Sequence, residues 1–280
     1  MNKQKQDYKI SDLPRTYKSS FFDILKTRWD HLLILAIFVL IATLPLILFN
    51  YYNQIMITNI SYDAVNGTIS EEDAIKQIQH NMFIFSLIEI PIFMFMAFIY
   101  SGLIRIIKKM IQREGYFIKY DFLQGIKENI LHFLIYAFLY GAINVLLNFI
   151  SYHYIISNQF LYYLFKILNY GIFIPLLFIN LTLTSIYKEK ISKKIMESII
   201  LYLRNFLILL LFFGIMEGSL ALFIIPSTFM LLFGAMLYAF LIVPIYLLIV
   251  QHLMHYIFDN DINYKQFPSI YKKGLYIDKI

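Results

Sequence analysis

The sequence predicts an all-α membrane protein: a polytopic bundle of six transmembrane helices with three amphipathic interfacial helices beside them. Two observations carry that expectation. Six apolar segments are each long enough to cross a hydrocarbon core, which takes about 20 residues. In addition, 22 of the 24 Lys and Arg residues fall on one side of those segments. They form four groups: seven from Lys3 to Arg28, six from Arg105 to Lys127, five from Lys188 to Arg204 and four from Lys265 to Lys279. Lys76 and Lys166 lie elsewhere. Loops rich in Lys and Arg stay in the cytoplasm, so the N- and C-termini are both placed on the cytoplasmic side and the chain crosses six times.

Residues 1–31 form a cytoplasmic amphipathic leader, with Phe21, Phe22 and Leu25 on its apolar face. The first apolar run starts near Leu32 and lacks a small-residue cleavage site, so it stays as a signal anchor. The membrane domain is 32–251, with spans at about 32–52, 82–104, 130–150, 167–187, 206–225 and 229–251, each sized from the apolar length a bilayer needs. Backbone groups in lipid must pair among themselves, so these are helices. Residues 252–280 form a cytoplasmic tail.

Three outer connections join the spans. Residues 53–80 are expected as one long acidic loop (Asp63, Glu71, Glu72, Asp73), with Ser70 capping a short helix toward His80. The second connection, near Ser151 to Gln159, is uncharged, and the third is a tight turn at Pro226-Ser227-Thr228. An amphipathic stretch precedes each odd span. Before the third lie Phe122, Leu123 and Ile126, with Asp121 and Gln124 spaced as a capping box. Before the fifth, Ile191, Ile195, Ile199 and Tyr202 line one side, and Lys190, Lys193, Lys194 and Glu197 the other. Such a helix lies in the inner interface with its Lys toward the headgroups.

Each even span carries a proline, Pro91, Pro175 or Pro244, 13 to 15 positions before the first cytoplasmic charge. This suggests a threefold two-helix repeat, although Pro45 in the first span departs from it. Mitochondrial carriers also have three two-helix repeats, but with an acid and a base after prolines on odd helices. Here Ile92-Phe93 follows Pro91 on an even one.

Composition closes off several classes. The chain is 60% hydrophobic and 15% charged, with a mean hydropathy of +0.65. The spans and the short segments that flank them use most of it, which leaves no room for a separate soluble domain. The net charge of +6 is spread over four cytoplasmic segments, so topology and anionic inner-leaflet lipid explain it without nucleic acid. With no Cys, disulfides, thiolate nucleophiles and Cys-ligated metals are excluded. There is no Gly-x-Ser-x-Gly, His-Glu-x-x-His or P-loop, which argues against an enzyme. Tyr51, Tyr52, Tyr152 and Tyr154 are placed at the outer aromatic belt, and Trp29, Tyr187 and Tyr256 at the inner one.

Polar groups inside spans mark the candidate site. A carboxylate at helix centre costs about 2.5–3.5 kcal/mol on insertion scales. Glu89 and Glu217 lie roughly 12–14 Å below the outer surface, at 1.5 Å per residue. Lys166 is the nearby cation, and Asn144, Asn148 and Asn169 share the same outer half. These groups either form a polar site open to the outside or act as interhelical glue. Small residues at Gly214 and Gly218, at Ala137 and Gly141, and at Ala235 and Ala239 provide faces for close helix packing, within one chain or between chains. His252, His255 and Asp259 share one side of the last span's inner end, with Asp261 beyond; that spacing is weak as a metal pattern. No metal or cofactor is expected.

Three stretches carry a family resemblance. Phe21-Phe22-Asp23-Ile24-Leu25 through Arg28-Trp29 to Ala42-Thr43-Leu44-Pro45 resembles the opening of the YesL-like bacterial membrane proteins. Arg113-Glu114 with Asp121-Phe122-Leu123-Gln124-Gly125-Ile126-Lys127-Glu128-Asn129 is similar to that family's middle cytoplasmic segment. Ile199 to Pro226, including Arg204-Asn205, is similar to its fifth helix. The stretch 53–80 departs from the family in length. The resemblance implies six spans and a non-enzymatic role accessory to carbohydrate uptake, with an ABC transporter permease or solute-binding protein as partner. It transfers no functional residue. The alternatives are a small transporter or channel using Glu89 and Glu217, and a membrane-embedded enzyme.

Overall fold

The computed structural model describes residues 13–154, 158–220 and 228–276, without the side chains of 152–154, 159, 162, 217–220 and 228–231. All regular structure in these residues is helical. The helices are α1 (Tyr17–Thr27), α2 (Trp29–Val65), α3 (Glu71–Ile111), α4 (Ile118–Tyr154), α5 (Gln159–Leu168), α6 (Ile174–Ile186), α7 (Ile191–Arg204), α8 (Phe206–Leu220), α9 (Thr228–Leu237), α10 (Val243–Phe258) and α11 (Tyr264–Gln266). Among the described residues, five helical segments are long and apolar enough to cross a membrane. They are Trp29–Val65, Glu71–Ile111, Ile118–Ser151, Tyr163–Ile186 and Leu232–Gln266, and α7 with α8, bent by 89° between them, gives a sixth candidate. The chain is a helical membrane protein.

The expected loop at 53–80 is instead the tip of a helical hairpin. α2 has 37 residues and α3 has 41, so they run about 55 and 60 Å at 1.5 Å per residue. A hydrocarbon core needs only about 30 Å. The hairpin turn is written in its caps. α2 ends in a Schellman motif: Gly67 N–H donates to Ala64 O at 3.1 Å and Thr68 N–H to Asp63 O at 3.0 Å. Gly67 sits at φ +71, where a side chain would be strained. Ser70 then caps α3, its Oγ accepting from Asp73 N–H at 3.1 Å, and Glu71, Glu72 and Asp73 favour the positive helix end.

Two of the three amphipathic stretches are separate helices, α1 and α7. The middle one is the first part of α4, which continues without a break into its span. Asp121 is not its cap but lies one turn in, where Oδ2 accepts from Phe117 N–H at 2.8 Å. Its carboxylate, 1% exposed, also takes Lys109 at 2.7 Å and Arg105 at 3.4 Å, and Arg105 reaches on to Glu128. This network ties the inner end of α3 to the start of α4.

Just above it the two helices nearly touch. A Cβ at Gly125 would stand 2.8 Å from Ser101 O and 3.0 Å from Gly102 Cα. Farther out, a Cβ at Gly141 would meet Ile90 at 3.1 Å, and Ala137 is buried. A Cβ at Gly214 would meet no heavy atom within 4 Å among the described residues, and the side chain of Glu217 and the turn at Pro226 lie outside them.

The repeat is visible in two of its three units. A π-helical turn at Asn169–Phe173 precedes Pro175, and another at Tyr238–Ile242 precedes Pro244, at the same six-residue offset. Pro91 lies inside the unbroken α3. A proline has no N–H and clashes with the carbonyl four residues back. At Pro175 that carbonyl belongs to Gly171, and Tyr202 Oη of α7 donates to it at 2.7 Å. α7 therefore docks on the break in the fourth span.

Three buried clusters complete the core. One joins α1, α2, α3 and α10; the second joins α6, α7, α8 and α10; the third joins α3, α4 and α6. The tail closes the end of the bundle at which α1 lies. Tyr276 N–H donates to Pro14 O at 2.9 Å, and Gly274, at φ +90, lies against Ile111 O, where a Cβ would come to 2.3 Å.

Gly125→Ala should lower stability by about 1–3 kcal/mol, because the obstructing atoms are largely backbone. Gly214→Ala should leave it within about 0.5 kcal/mol. Thermal midpoints of the two variants in mild detergent check both values; equal midpoints would count against the α3–α4 close approach.

Candidate functional site

The half of the bundle nearer the α2–α3 hairpin tip brings Glu89, Asn144 and Asn169 into one hydrogen-bonded chain. Asn144 Nδ2 donates to Glu89 Oε2 at 2.7 Å, and Asn169 Nδ2 donates to Asn144 Oδ1 at 2.7 Å. A second rung lies one turn farther out. Lys166 Nζ donates to Asn148 Oδ1 at 3.0 Å, and Asn148 Nδ2 donates to Ser86 Oγ at 3.4 Å.

The spacing explains the geometry. Ser86 and Glu89 are three apart on α3, Asn144 and Asn148 four apart on α4, and Lys166 and Asn169 three apart at the end of α5. Each pair therefore lies on one helix face. The close approach at Gly141 and Ile90 brings α3 near enough for the Glu89–Asn144 bond. The π-turn begins at Asn169, and its side chain is buried against α4. Aromatic pairs bracket the rungs: Phe83 with Phe149 outside at 5.4 Å, and Phe93 with Tyr140 inside at 5.2 Å.

Four helical segments thus place one carboxylate, three amides, a hydroxyl and one ammonium in the same layer. Glu89 receives a neutral donor, and the charge of Lys166 acts on it through space. Such a set can hold a cation or a hydroxylated solute, or can fasten helices together. Asn169 Oδ1 is buried without a partner among the described residues, so the layer has one unused acceptor. Glu217 belongs to α8, but its side chain lies outside the described residues.

The inner end of the last span is a clamp. Asp259 is buried and accepts from Tyr17 Oη at 2.5 Å, Lys272 N–H at 2.8 Å and Asn263 Nδ2 at 2.7 Å. Burial and then the Asp259 carboxylate push the Tyr17 phenol far above its ordinary range. His252 Nδ1 pairs with Leu248 O at 2.8 Å, and Asp261 pairs with Asn205 and Arg204. No group of three His, Asp or Glu among the described residues could hold a metal. Tyr187 is not at the inner belt: it is buried, and Oη donates to Asn263 Oδ1 at 2.5 Å. Trp29 and Tyr256 are exposed, as belt residues are.

α7 differs most from expectation. Its inward face is Lys194, Ser198, Leu201 and Tyr202, while Met196, Ile199, Ile200 and Leu203 are exposed. Lys194 is only 2% exposed and points into the bundle, not toward headgroup water. The hidden signal was the 194–198–201 spacing, which puts Lys194 and Ser198 on the face of buried Leu201.

Compared with known proteins, the chain matches no family model, no curated protein and no solved structure.

Asn144→Leu removes the shared residue of the inner rung and leaves Glu89 and Asn169 unpaired. It should cost about 1–3 kcal/mol, the desolvation penalty of an orphaned buried polar group. Glu89→Gln keeps an acceptor for Asn144 and should stay within about 1 kcal/mol of wild type. Denaturation midpoints in mixed micelles would settle the order; a Glu89→Gln loss as large as that of Asn144→Leu would mean that the charge, not the bond, holds the layer.

Proposed function

We propose that this chain is a non-enzymatic accessory protein of the bacterial cytoplasmic membrane. It crosses six times with both termini in the cytoplasm, and it assists carbohydrate uptake by binding an ABC transporter permease or solute-binding protein. The Lys and Arg asymmetry supports the orientation, and the resemblance to YesL-like proteins supports the pathway. The observation that carries the docking role is the α2–α3 hairpin. It extends about 13 residues per helix past the apolar spans, or about 20 Å. Its tip is acidic and exposes Tyr62 and Val65 to solvent. A preorganised helical pair can bind without an ordering cost, unlike a loop of the same length.

A second reading is a small transporter or channel that uses Glu89 and Glu217. It is favoured by the Glu89–Asn144–Asn169 chain, since ionisable groups inside a membrane mark solute and proton paths by default. It expects solute or proton flux in liposomes that falls with Glu89→Gln, whereas the accessory reading expects none.

Two experiments test the proposal. The protein lacks cysteine, so single introduced thiols report topology cleanly. A membrane-impermeant maleimide should label Gln77→Cys in intact spheroplasts and Ser192→Cys only after lysis; the reverse pattern would invert the topology. For the partner, purification from native membranes with cross-linking should recover a stoichiometric permease or binding protein. Tyr62→Ala with Val65→Ser should leave stability within about 0.5 kcal/mol, as surface changes do, and reduce that recovery. A protein that purifies alone would sink the accessory reading.

A further inference from the structure

We propose that Lys194, Thr184 and Tyr136 form a binding site for a phosphate group at the inner membrane interface, where α4, α6 and α7 meet. Lys194 Nζ has three N–H donors. Among the described residues it makes one long hydrogen bond, 3.5 Å to Thr184 Oγ1 of α6. Among the described residues no carboxylate comes within ion-pair distance of it; Glu189 and Glu197 pair with the exposed Lys193 and act on Lys194 only through space. A buried ammonium without a counter-charge is costly unless something pairs with it. The Tyr136 hydroxyl of α4 lies near Thr184 and is buried without a well-formed hydrogen bond among the described residues. Two of the three groups therefore carry donors not yet used.

The helix that bears Lys194 adds to the case. α7 begins at Ile191 with no side-chain cap and no acid in its first turn, which carries Lys193 and Lys194 after Lys190. Cations at a helix N-terminus oppose its dipole, and an anion there is favoured. Helical side chains lean toward the N-terminus, so Lys194 reaches back toward those uncapped N–H groups.

Position selects the ligand. Thr184 lies two residues before the end of α6, and the connection that follows is Tyr187-Lys188-Glu189-Lys190, so the site stands at headgroup level. Beside it α7 exposes Met196, Ile199, Ile200 and Leu203, and α4 exposes Leu131. Acyl chains fit that surface while a phosphate reaches Lys194. The groups facing the site are His132 and Tyr136 from α4, Thr184 and Asn180 from α6, and Glu189 and Glu197 flanking Lys194 on α7. Glu189 and Glu197 both touch Lys193 and not Lys194, so the Nζ donors of Lys194 stay open to a phosphate.

The test is the thermal midpoint of the full chain in mild detergent, titrated with dihexanoyl phosphatidylglycerol, dihexanoylglycerol or inorganic phosphate at matched ionic strength. Phosphatidylglycerol should give a saturable rise, and the phosphate-free diglyceride should not. Lys194→Met should weaken the response by at least about tenfold, the weight of one charged hydrogen bond. Lys193→Met should leave it intact. An equal response to inorganic phosphate would name a free anion as the ligand in place of a lipid. No response to either, or an unchanged response in Lys194→Met, would overturn the site. Should Lys194→Met fail to fold, Thr184→Val decides: it keeps the shape and removes the hydroxyl, and unchanged affinity would overturn the proposal.

Discussion

Every polar group that this chain carries into the hydrocarbon must find its partner inside the protein, because lipid offers none. That constraint explains more of the architecture than any apolar contact. Helices satisfy the backbone. The two interrupted spans absorb their prolines through π-turns, and the carbonyl released by Pro175 is recovered by Tyr202. That hydroxyl, together with the Asn180–Ser198 bond, positions α7. It holds α7 across the bundle, at 89° to α8, against the break in the fourth span. The same logic joins Gln251 to Thr182 at 2.9 Å and Asn180 to Ser198 at 2.9 Å, each between different helices. Hydrophobic association contributes little among helices already in an apolar solvent, so close packing and such bonds carry the load.

The two faces of the membrane are built differently as a result. At the end of the bundle that holds the termini, ion pairs and hydrogen bonds surround buried carboxylates: Lys109 and Arg105 at Asp121, and Tyr17, Asn263 and the backbone of Lys272 at Asp259. These contacts lock α1, the α3–α4 connection and the tail into one platform. Arg113 shows how firmly. It occupies the left-handed position that ends α3, at φ 54, where glycine is usual, and its guanidinium pairs with Asp23 of α1 at 2.5 Å. At the opposite end the α2–α3 hairpin extends beyond the apolar spans, held by its own caps and by buried Ile60 and Ala74. A rigid base with a projecting arm suits a protein that presents a surface to a partner.

The spans, their order and the polar layer were legible because each is a short-range pattern. Apolar runs need no tertiary context, and Glu89, Asn144, Asn169 and Lys166 stood out as polar residues at matching depths. Three features were not legible for one shared reason: hydropathy records where lipid ends, not where a helix ends. Hydropathy alone reads the α2–α3 hairpin as a loop because its residues turn polar at Asn53. The helix signals were nonetheless present, with Asn66-Gly67 as the stop and Ser70 followed by three acids as the start. α4 was divided at the interface for the same reason, although nothing between Asp121 and Ile130 breaks a helix. Lys194 was assigned to water because it is charged, while its register set it on the face of Leu201 and Tyr202. Tyr187 is the converse case, an interfacial residue type used as a buried donor. The crossing at Gly102 and Gly125 depends on contact between segments 23 residues apart, which one-dimensional spacing does not reveal.

The two polar layers differ in how far they are satisfied, and that difference separates fastening from binding. In the outer layer the carboxylate receives a donor, Lys166 has an acceptor at 3.0 Å, and one amide oxygen is left over. A layer that close to balance gains little from a ligand, and its natural role is to fix α3, α4 and α5 against one another. The inner layer is out of balance. Among the described residues a buried ammonium meets a single hydroxyl at 3.5 Å, and Glu189 and Glu197, which touch Lys193, act on it only through space. Folding alone gives no reason to keep Lys194 there, since methionine would fill the same space without the cost of desolvating a charge. A phosphate at the interface supplies that reason, and it would seat α7, and through Tyr202 the broken fourth span, only where such groups are present.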